Sequence, residues 1–568
     1  MNRLGCAVFL ILLSALFSGP WLTVAAAAEL DPRIQKIVGE MQIPLYLPPP
    51  ATTPPRHGGT AYIRTMEPKN FDPHQYISYR LRIANSYTHE RLTRFKAGPG
   101  TSPVDHVPVP ALAQSWETKD GGKTVIYHLR KGVRWHNKPP VNGRELKASD
   151  FIFTLDRIRR TEQAAYQKQI LQKVESYEAP DDYTLVFRLK APFAAFTYHL
   201  SRTAWEVLAP EVEKKCGDYV KPECADIGTG PWMFESFSPG NNIVLKRNPD
   251  YWDKPYPYID KLVLVFMDDE KAQDAAFRTR KLDLIGVETD AISGERFRAL
   301  SKSNPEMVYQ VFIDPFNRRG IWLKADRPPF NDVRMRRAAS MAIDRVGWVK
   351  SVMGGYGIPF GGWLYPGNQY WLPDGEYGQC AKYLRYDPKE AKQLVKEAGY
   401  GPGGTPVKVK LQATRGYGEE QAAEAELVAQ ALNNIGIVAE ISMVDYNSFL
   451  PAWRDGKFDH VLYNFLGYGY DADDWLLNPF HSKFNGTKYF GYQDPEFDRI
   501  LDAQASELDP GKRIELAKKA AKHMVCQAYA IAAPARLYFV GINPRLKNYL
   551  YHDSFDNGHP LLKAWLED

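Results

Sequence analysis

Three closely spaced aspartates are the residues of this chain that most directly suggest chemistry. Asp471, Asp473 and Asp474 lie within four positions of one another, and paired carboxylates can serve a hydrolase as general acid and base. As a calcium loop, the cluster lacks the glycine and the terminal glutamate that such loops use. An exported hydrolase acting through Asp473 and Asp474 stays open as one interpretation, and a structural capping role is the other.

Common catalytic and metal-binding motifs do not occur in the sequence. There is no H-E-x-x-H, no G-x-S-x-G and no G-x-x-x-x-G-K-[ST] pattern. The run from Gly121 to Thr124 ends like a phosphate loop, but Glu117 stands where its first glycine belongs. His128 and His136 could be metal ligands, although a position on a strand face explains each equally simply. We therefore predict no enzyme activity, no cofactor and no metal site.

The chain is rich in aromatic residues, which suit a surface that recognises a small molecule. Aromatic residues make up 13% of the 568 positions, with 33 Tyr and 13 Trp. A large core with aromatic side chains scattered over the surface explains the same composition, so both interpretations stay open. The formal net charge of +5 is small beside 72 basic and 67 acidic residues, and it does not indicate a nucleic-acid partner.

The first 28 residues have the layout of a cleavable secretory signal. Arg3 is followed by an apolar run from Ala7 to Phe17, and small residues precede Glu29. The run is too short to span a membrane comfortably, and Cys6 precedes it, so Cys6 is badly placed for lipid attachment. We predict cleavage near Ala28, a periplasmic mature protein that is not a lipoprotein, and a Pro-rich extension over residues 29–57.

Four cysteines remain after the predicted signal, an even number that permits two disulfides in an exported chain. Cys216 and Cys224 are close in sequence, with Gly217 and Pro222 between them, which favours a local pair. Cys380 and Cys526 would then form the second pair. Free buried thiols are the alternative.

Hydrophobic periodicity predicts an α/β chain. Alternation in AYIRT, KTVIYHLR and YTLVFRLK predicts strands, and residues 173–190 read as a hairpin. A helix is predicted for ASDFIFTLDRIRR, with Ser149 or Asp150 as its cap. Further along, a helix is predicted with Asp387 as its cap and Pro388 as its first residue, and VKVKLQAT, EEQAAEAELVAQALNNIGI and VAEISMV follow as strand, helix and strand. This order implies a partly parallel sheet with helices on its faces.

Five segments occur in the order and spacing of one known family. They are residues 110–155 with Ser115-Trp116-Glu117, Gly228–Pro231 with Arg247–Trp252, residues 329–345 ending in Ala342-Ile343-Asp344-Arg345, residues 386–400, and Gly456–Asp459 continuing to DPEFDRIL. Together these segments resemble the family-5 extracellular solute-binding proteins of ABC importers, of the oligopeptide, dipeptide and nickel type. The resemblance spans roughly residues 58–550.

The resemblance implies a two-lobed clam, a periplasmic-binding-protein fold of α/β class with a ligand cleft between the lobes. Lobe one would comprise residues 58–315 and 535–568, with an extra subdomain inserted at about 90–190. Lobe two would be residues 316–534. The chain would cross between the lobes near Phe312–Leu323 and again near Leu537–Pro544.

The resemblance also indicates candidate ligand-binding residues. The aspartate that pairs with a peptide's α-ammonium in peptide-binding relatives corresponds to Tyr468, and Asp471 takes that role only if the alignment slips by one turn. The other candidates, in chain order, are Trp363, Tyr365, Tyr417, Tyr446, Asn464, Phe465, Leu466 and Tyr470. For Trp363, Tyr365 and Tyr417, an ordinary loop or packing role explains the residue as well as ligand contact does.

The resemblance implies that the chain is the substrate-binding component of an ABC transporter, a monomer that captures a peptide-like or other small organic solute. Its partners would be the importer's permease subunits and the ligand, with no nucleic acid. The alternatives are the exported hydrolase and a periplasmic chaperone or receptor that uses the same fold. With Tyr468 at the amine-anchor position, the sequence leaves the identity of the ligand open.

Overall fold

A computed structural model describes most of the chain after the predicted signal and extension. The described residues are 53–74, 84–99, 101, 106–225, 227–287, 291–313, 319–364, 369–401, 403–416, 419–465, 469, 471–554 and 556–567. Within these ranges, no helix combines the length and the hydrophobicity needed to cross a bilayer.

Twenty-one strands form in the described part of the chain. The first twelve are β1 (Thr60–Thr65), β2 (Thr93–Phe95), β3 (Pro108–Pro110), β4 (Ala113–Lys119), β5 (Thr124–Leu129), β6 (Val174–Asp181), β7 (Thr184–Leu189), β8 (Trp232–Ser238), β9 (Asn242–Arg247), β10 (Lys261–Phe266), β11 (Leu284–Ile285) and β12 (Val308–Ile313). The others are β13 (Arg319–Leu323), β14 (Gly357–Ile358), β15 (Val407–Thr414), β16 (Ile437–Val444), β17 (Val461–Phe465), β18 (Ala530–Ala532), β19 (Ala535–Ile542), β20 (Leu546–Lys547) and β21 (Trp565–Leu566).

The α-helices fall between these strands. In the first half of the described chain they are α1 (Ala148–Arg160), α2 (Ala165–Leu171), α3 (Phe196–Leu200), α4 (Pro210–Cys216), α5 (Pro222–Ala225), α6 (Glu270–Arg278) and α7 (Gly294–Ser303). In the second half they are α8 (Val333–Met341), α9 (Arg345–Ser351), α10 (Pro388–Glu397), α11 (Glu419–Asn434), α12 (Tyr446–Arg454), α13 (Asn478–Phe480), α14 (Thr487–Phe490), α15 (Pro495–Ser506), α16 (Pro510–Gln527) and α17 (Gly558–Leu561). Two π-helical turns, Asp473–Leu477 and Ser482–Gly486, flank α13.

The first large sheet has eight strands and combines both ends of the described chain. Its order is β12-β19-β11-β1-β10-β9-β8, and β14 pairs with β19 beside this path. β1 runs parallel to β10 and β11, whereas β19 runs antiparallel to β11 and β12. We refer to the part of the molecule built on this sheet as lobe one.

The second large sheet has five strands in the order β16-β15-β17-β13-β18. β15, β16 and β17 are parallel, and β13 lies antiparallel to β17 and β18. Successive side chains of each strand point to opposite faces of the sheet, and helices cover both faces. Ile321 and Tyr463 pack with α8 to α11 on one face, and Trp322 and Leu462 pack on the other. We refer to this part as lobe two.

A separate four-stranded antiparallel sheet, β4-β5-β7-β6, is formed within residues 113–189. It lies inside the region where the sequence predicts an inserted subdomain, and α1 packs beside β6 and β7. The predicted hairpin over residues 173–190 corresponds to β6 and β7, which pair antiparallel.

The chain passes between the two large sheets twice. The first passage lies between the end of β12 at Ile313 and the start of β13 at Arg319, inside the range where the sequence predicts a crossing. The second lies at Ala533-Pro534, between β18 and β19. The predicted second crossing, Leu537–Pro544, is wrong because residues 537–542 are hydrogen-bonded within β19, where Ile313 faces Leu537 in register.

Local sequence signals explain most helix boundaries. Asp387 caps α10 by accepting the backbone N–H of Glu390 at 2.9 Å, as the sequence predicts. For α1 the predicted cap is wrong, because Lys147 occupies the N-cap position. Asp150 stands three residues into the helix and accepts the Lys147 backbone N–H at 3.0 Å, so it caps from inside the first turn.

Both disulfides expected from the cysteine spacing are present. Cys216–Cys224 joins the end of α4 to α5, with Cα atoms 6.2 Å apart. Cys380–Cys526 joins residues 146 positions apart, with Cα atoms 5.2 Å apart, and ties a short 3-10 segment to the last turn of α16.

Candidate ligand-binding site

Three parallel strands of lobe two end side by side at one edge of the sheet. β15 ends at Thr414, which is in register with Val444 at the end of β16, and β17 ends next to them at Phe465. Ligands of open α/β sheets bind outside the carboxyl ends of parallel strands. The segments that follow these ends contain most of the candidates predicted from the sequence, including Tyr417, Tyr446 and the run after Phe465.

Both passages between the lobes reach the same edge. β13 begins at Arg319, opposite Phe465, and Gly320 is paired with both Asn464 and Ala532. In lobe one, the end of β12 at Ile313 pairs with Leu537 near the start of β19, so the two passages also leave lobe one side by side. The carboxyl edge of the lobe-two sheet therefore lies next to the hinge, where a cleft between two lobes is deepest.

Asn464 is a buried polar side chain that has no hydrogen-bond partner among the described residues. It is 0% exposed, and in that part of the chain neither its side-chain nitrogen nor its side-chain oxygen is hydrogen-bonded. Its register partner on β13 is Gly320, which has no side chain, and the next residue across the sheet is Ala532 on β18. Buried polar groups in native proteins are nearly always hydrogen-bonded, so an amide that lacks both a donor and an acceptor partner marks a place where a ligand can supply them.

The other predicted aromatic and strand-end residues differ in exposure. Tyr446 is the first residue of α12 and is 38% exposed, with Gly416 of the neighbouring segment against its side chain. Phe465 is buried on the face opposite to Asn464, with the Arg319 guanidinium 5.6 Å from its ring centre. Among the described residues at this edge, Tyr446 therefore presents an accessible ring, and Phe465 packs against Arg319.

Trp363 is part of the core of lobe two. It is 1% exposed, donates its indole N–H to the Trp475 carbonyl at 2.8 Å and packs edge-on against Phe480. These contacts give Trp363 the packing role that the sequence left open for it. Some predicted site residues lie outside the described residues: Tyr365, Tyr417, Leu466, Tyr468 and Tyr470.

Asp471 is fully engaged inside lobe two. Its two carboxylate oxygens accept from Arg513 at 2.5 and 2.8 Å, and Tyr370 donates to it at 3.0 Å. Burial alone would raise the pKa of Asp471, but the Arg513 guanidinium outweighs burial and holds that pKa below its usual range. Asp471 therefore stays ionised and paired, which leaves no free charge for a ligand ammonium.

The two remaining aspartates of the cluster are also bonded within the protein. Asp473 accepts from Gln504 at 2.6 Å, and Asp474 accepts from Tyr198 at 2.9 Å and lies 3.3 Å from Arg202. Burial raises the pKa of Asp473 above its usual range and raises the pKa of Asp474 to about 6. Each carboxylate thus has protein partners, although Oδ2 of Asp473 is buried without a hydrogen-bond partner among the described residues.

A second buried charge cluster joins the lobes beside the hinge. Glu424 of α11 accepts from Arg319 at 2.5 Å, from Tyr463 at 2.9 Å and from Arg536 of β19 at 3.2 Å. The arginines hold the pKa of Glu424 low although burial opposes them. Sequence reasoning missed this cluster, although a glutamate next to Ala425 on the apolar stripe of a helix is a detectable signal of a buried ion pair.

In the described ranges, no group of three or more His, Cys, Asp or Glu is arranged to hold a metal ion. His136 is 0% exposed and its Nδ1 accepts the Gly228 backbone N–H at 3.2 Å, which places it in the core of lobe one. His128 is partly exposed on β5, with its ring 3.5 Å from Glu117. Both histidines thus occupy strand or core positions with protein partners.

Comparison with known proteins places the chain in a family. Residues 107–488 match the model of the bacterial extracellular solute-binding proteins, family 5, and the chain belongs to that family. The dipeptide-binding protein of Escherichia coli K12 is 27% identical over 508 residues, which cover 86% of this chain and 91% of that protein. Di/tripeptide-binding protein 3 of Pseudomonas aeruginosa is 29% identical over 475 residues, covering 80% of this chain and 85% of the relative.

Solved structures agree on the fold. HbpA2 from Haemophilus parasuis superposes with a TM-score of 0.76 at 20% identity, over 90% of this chain and 100% of that one. The chain is therefore a two-lobed solute-binding protein, as the sequence resemblance predicts.

Proposed function

We propose that this protein is the extracytoplasmic substrate-binding component of an ABC transporter. It captures a peptide-like or other small organic solute between its lobes and delivers it to membrane permease subunits. The unpartnered amide of Asn464, buried at the carboxyl edge of the lobe-two sheet, is the observation that carries the proposal. Family membership supports it, and relatives named as dipeptide- and di/tripeptide-binding proteins support the ligand class.

The charges at this edge favour a ligand that is held without a carboxylate-to-ammonium pair. Asp471, Asp474 and Glu424 each have an arginine within 3.3 Å, and removing such a partner would strand a buried charge. We propose that the Asn464 amide supplies hydrogen bonds to the ligand, and that Tyr446 and Tyr468 supply ring surfaces against its apolar part.

The protein acts as a monomer in the periplasm, in this proposal, after its signal is removed near Ala28. The lobe boundaries follow the two large sheets, with residues 58–315 and 535–568 in lobe one and residues 316–534 in lobe two. Closure of the lobes around the ligand presents a changed surface to the permease.

The ligand can be identified without a prior choice of library. The protein is purified under native conditions, denatured, and the released small molecules are analysed by mass spectrometry. The stripped and refolded protein is then titrated with each compound while X-ray scattering records its radius of gyration. A stoichiometric compound that rebinds and contracts the protein supports the proposal. Turnover of that compound by the purified protein would favour the hydrolase instead.

A further inference from the structure

Lobe one reaches across to lobe two at a point far in sequence from both hinge passages. Arg202 and Tyr198, at and after α3 in lobe one, contact the Asp474 carboxylate in the π-helical turn of lobe two. The Tyr198 hydroxyl donates at 2.9 Å and the Arg202 guanidinium lies 3.3 Å away. The side chains of Arg202 and Asp474 are only 10% and 4% exposed, so the ion pair is largely shielded from water.

Other contacts continue along the same seam. The Ala194 backbone N–H donates to the Ala505 carbonyl at 2.8 Å, which joins the segment before α3 to the end of α15. The Lys173 ammonium lies 5.5 Å from the centre of the Phe484 ring. The two lobes thus meet along a continuous line in this structure, with a charge pair at its buried end.

The segment that carries Arg202 is held in a strained conformation. Ala204 has a φ of +126°, a region that residues with a Cβ rarely adopt. Its N–H donates to the Glu206 carboxylate at 2.7 Å, and its carbonyl accepts from Gln167 at 3.1 Å. Strain of this type persists where surrounding contacts enforce it, and it is frequent at ligand clamps. These bonds fix the turn immediately after Arg202 and pre-position its side chain.

On the lobe-two side, Asp474 is in contact with the candidate ligand site. A Cβ on Gly469 would collide with the Asp474 carboxylate, so the carboxylate packs directly on the Gly469 backbone. Gly469 has a φ of +126°, and its carbonyl accepts the Trp475 indole N–H at 2.6 Å. Gly469 follows β17 by four residues and lies between Tyr468 and Tyr470. The charge pair between the lobes is therefore one contact away from the segment expected to touch the ligand.

We propose that Arg202 and Tyr198 form the lobe-one half of a clasp that holds Asp474, and through it Gly469, when the lobes are closed. The clasp rests on the proposed function, because it assumes that the lobes separate to admit a ligand. When the lobes are apart, water can solvate the charges of Arg202 and Asp474. When the lobes are closed, both charges are buried, and each is stabilised by its pairing with the other. Arg202 and Tyr198 act as positioning residues, since they set the closed state through Asp474.

The clasp can be tested without any ligand, by measuring how often the seam closes. Cysteines introduced as Ala194→Cys and Ala505→Cys lie at two positions joined by a backbone hydrogen bond, so a disulfide between them reports closure. Formation of the 194–505 crosslink is followed over time by peptide mass spectrometry, with the Cys216–Cys224 and Cys380–Cys526 peptides as internal references.

The decisive comparison is a double-mutant cycle in that background. Arg202→Met and Asp474→Asn should each slow crosslinking at least tenfold, because each leaves the other charge buried and unpaired. The double variant should recover to within about threefold of the parent, and Arg202→Lys, which keeps the charge, should stay close to it. Arg188→Met is the matched control, since Arg188 pairs with Glu178 at 2.8 Å on the surface of lobe one.

Three results would overturn the clasp. The first is an unchanged crosslinking rate in both single variants whose melting temperatures match the parent. The second is a double variant whose crosslinking rate falls by the product of the two single-variant factors, which would mean that Arg202 and Asp474 act independently. A fall in melting temperature without slower crosslinking also overturns it, because it indicates a fixed structural contact. Identification of the released ligand does not depend on any of these outcomes, so a failed clasp leaves the proposed function standing.

Discussion

Replacement of Asn464 by leucine should move stability and ligand binding in opposite directions. Without a ligand, the native amide leaves a buried donor and acceptor unmatched, and an unsatisfied buried polar group costs about 1–3 kcal/mol. Leucine has nearly the same size and no polar atoms. We expect the ligand-free Asn464→Leu protein to be about 1–3 kcal/mol more stable to unfolding than the parent.

Ligand affinity should fall by the same reasoning, because the ligand groups that bind the amide would lose their partners. A loss of about 1–3 kcal/mol corresponds to roughly 5- to 150-fold weaker binding. Stability is measured by urea unfolding of the stripped protein, and affinity by calorimetry with the compound identified by mass spectrometry. Asn241→Leu, on an exposed turn of lobe one, is the control and should change neither quantity in this way. A ligand-free Asn464→Leu protein that is less stable than the parent would refute the reasoning, since the amide would then be making bonds that leucine removes.

Three further perturbations test the described structure. Burial lowers the pKa of His89 and of His199 from 6.5 to about 3, so the stability present above pH 6.5 is lost as the pH falls toward 3. Between pH 7 and pH 5 each histidine should lower the free energy of unfolding by about 2 kcal/mol. Urea unfolding of His199→Gln should therefore show half of the pH dependence that the two histidines produce together, and the partly exposed His128→Gln is the control. On the chain-entropy model, replacing Cys380 and Cys526 by alanine should lower the free energy of unfolding by about 5 kcal/mol, and replacing Cys216 and Cys224 by about 2.5 kcal/mol. The difference arises because the two disulfides close loops of 146 and 8 residues. Equal losses of stability in unfolding experiments would contradict this. Arg513→Met should lower stability by about 3–5 kcal/mol by stranding the buried Asp471 charge, and calorimetry showing no change would mean that Asp471 is neutral.

Local sequence signals predicted the elements well where one physical rule dominates. α10 begins at Pro388 with Asp387 as its cap, as predicted. β15, α11 and β16 occupy the predicted segments, since their apolar periods match the faces they bury. The predicted cap position of α1 was wrong because Lys147 is the N-cap, and Asp150 accepts the Lys147 backbone N–H from inside the first turn. The second crossing was misplaced because residues 537–542 look equally apolar whether they cross between lobes or run through a sheet.

The candidate site was predicted only as far as the chain order allows. The sequence predicts ligand contacts at Tyr417, Tyr446 and Asn464–Leu466. That the strands ending at Thr414, Val444 and Phe465 meet at one edge follows from parallel pairing, which is a long-range contact. Alternation then separates neighbours, because Asn464 and Phe465 point to opposite faces of β17. One residue is an unpartnered amide and the next is packed against Arg319, a distinction that composition and spacing do not contain.

The sequence by itself determined the family, the α/β class and most strands and helices, because these depend on local periodicity, turn residues and ordered motifs. It favoured the two disulfide pairs that the structure contains but left free thiols as an alternative. Only the tertiary structure decided which charged side chains are already paired within the protein. Arg513 with Asp471, Arg202 with Asp474, and Arg536 with Glu424 are paired across 42, 272 and 112 positions of the chain. A charged residue in the sequence is equally suited to bind a ligand or a partner, and only its burial beside an opposite charge settles which of the two it does.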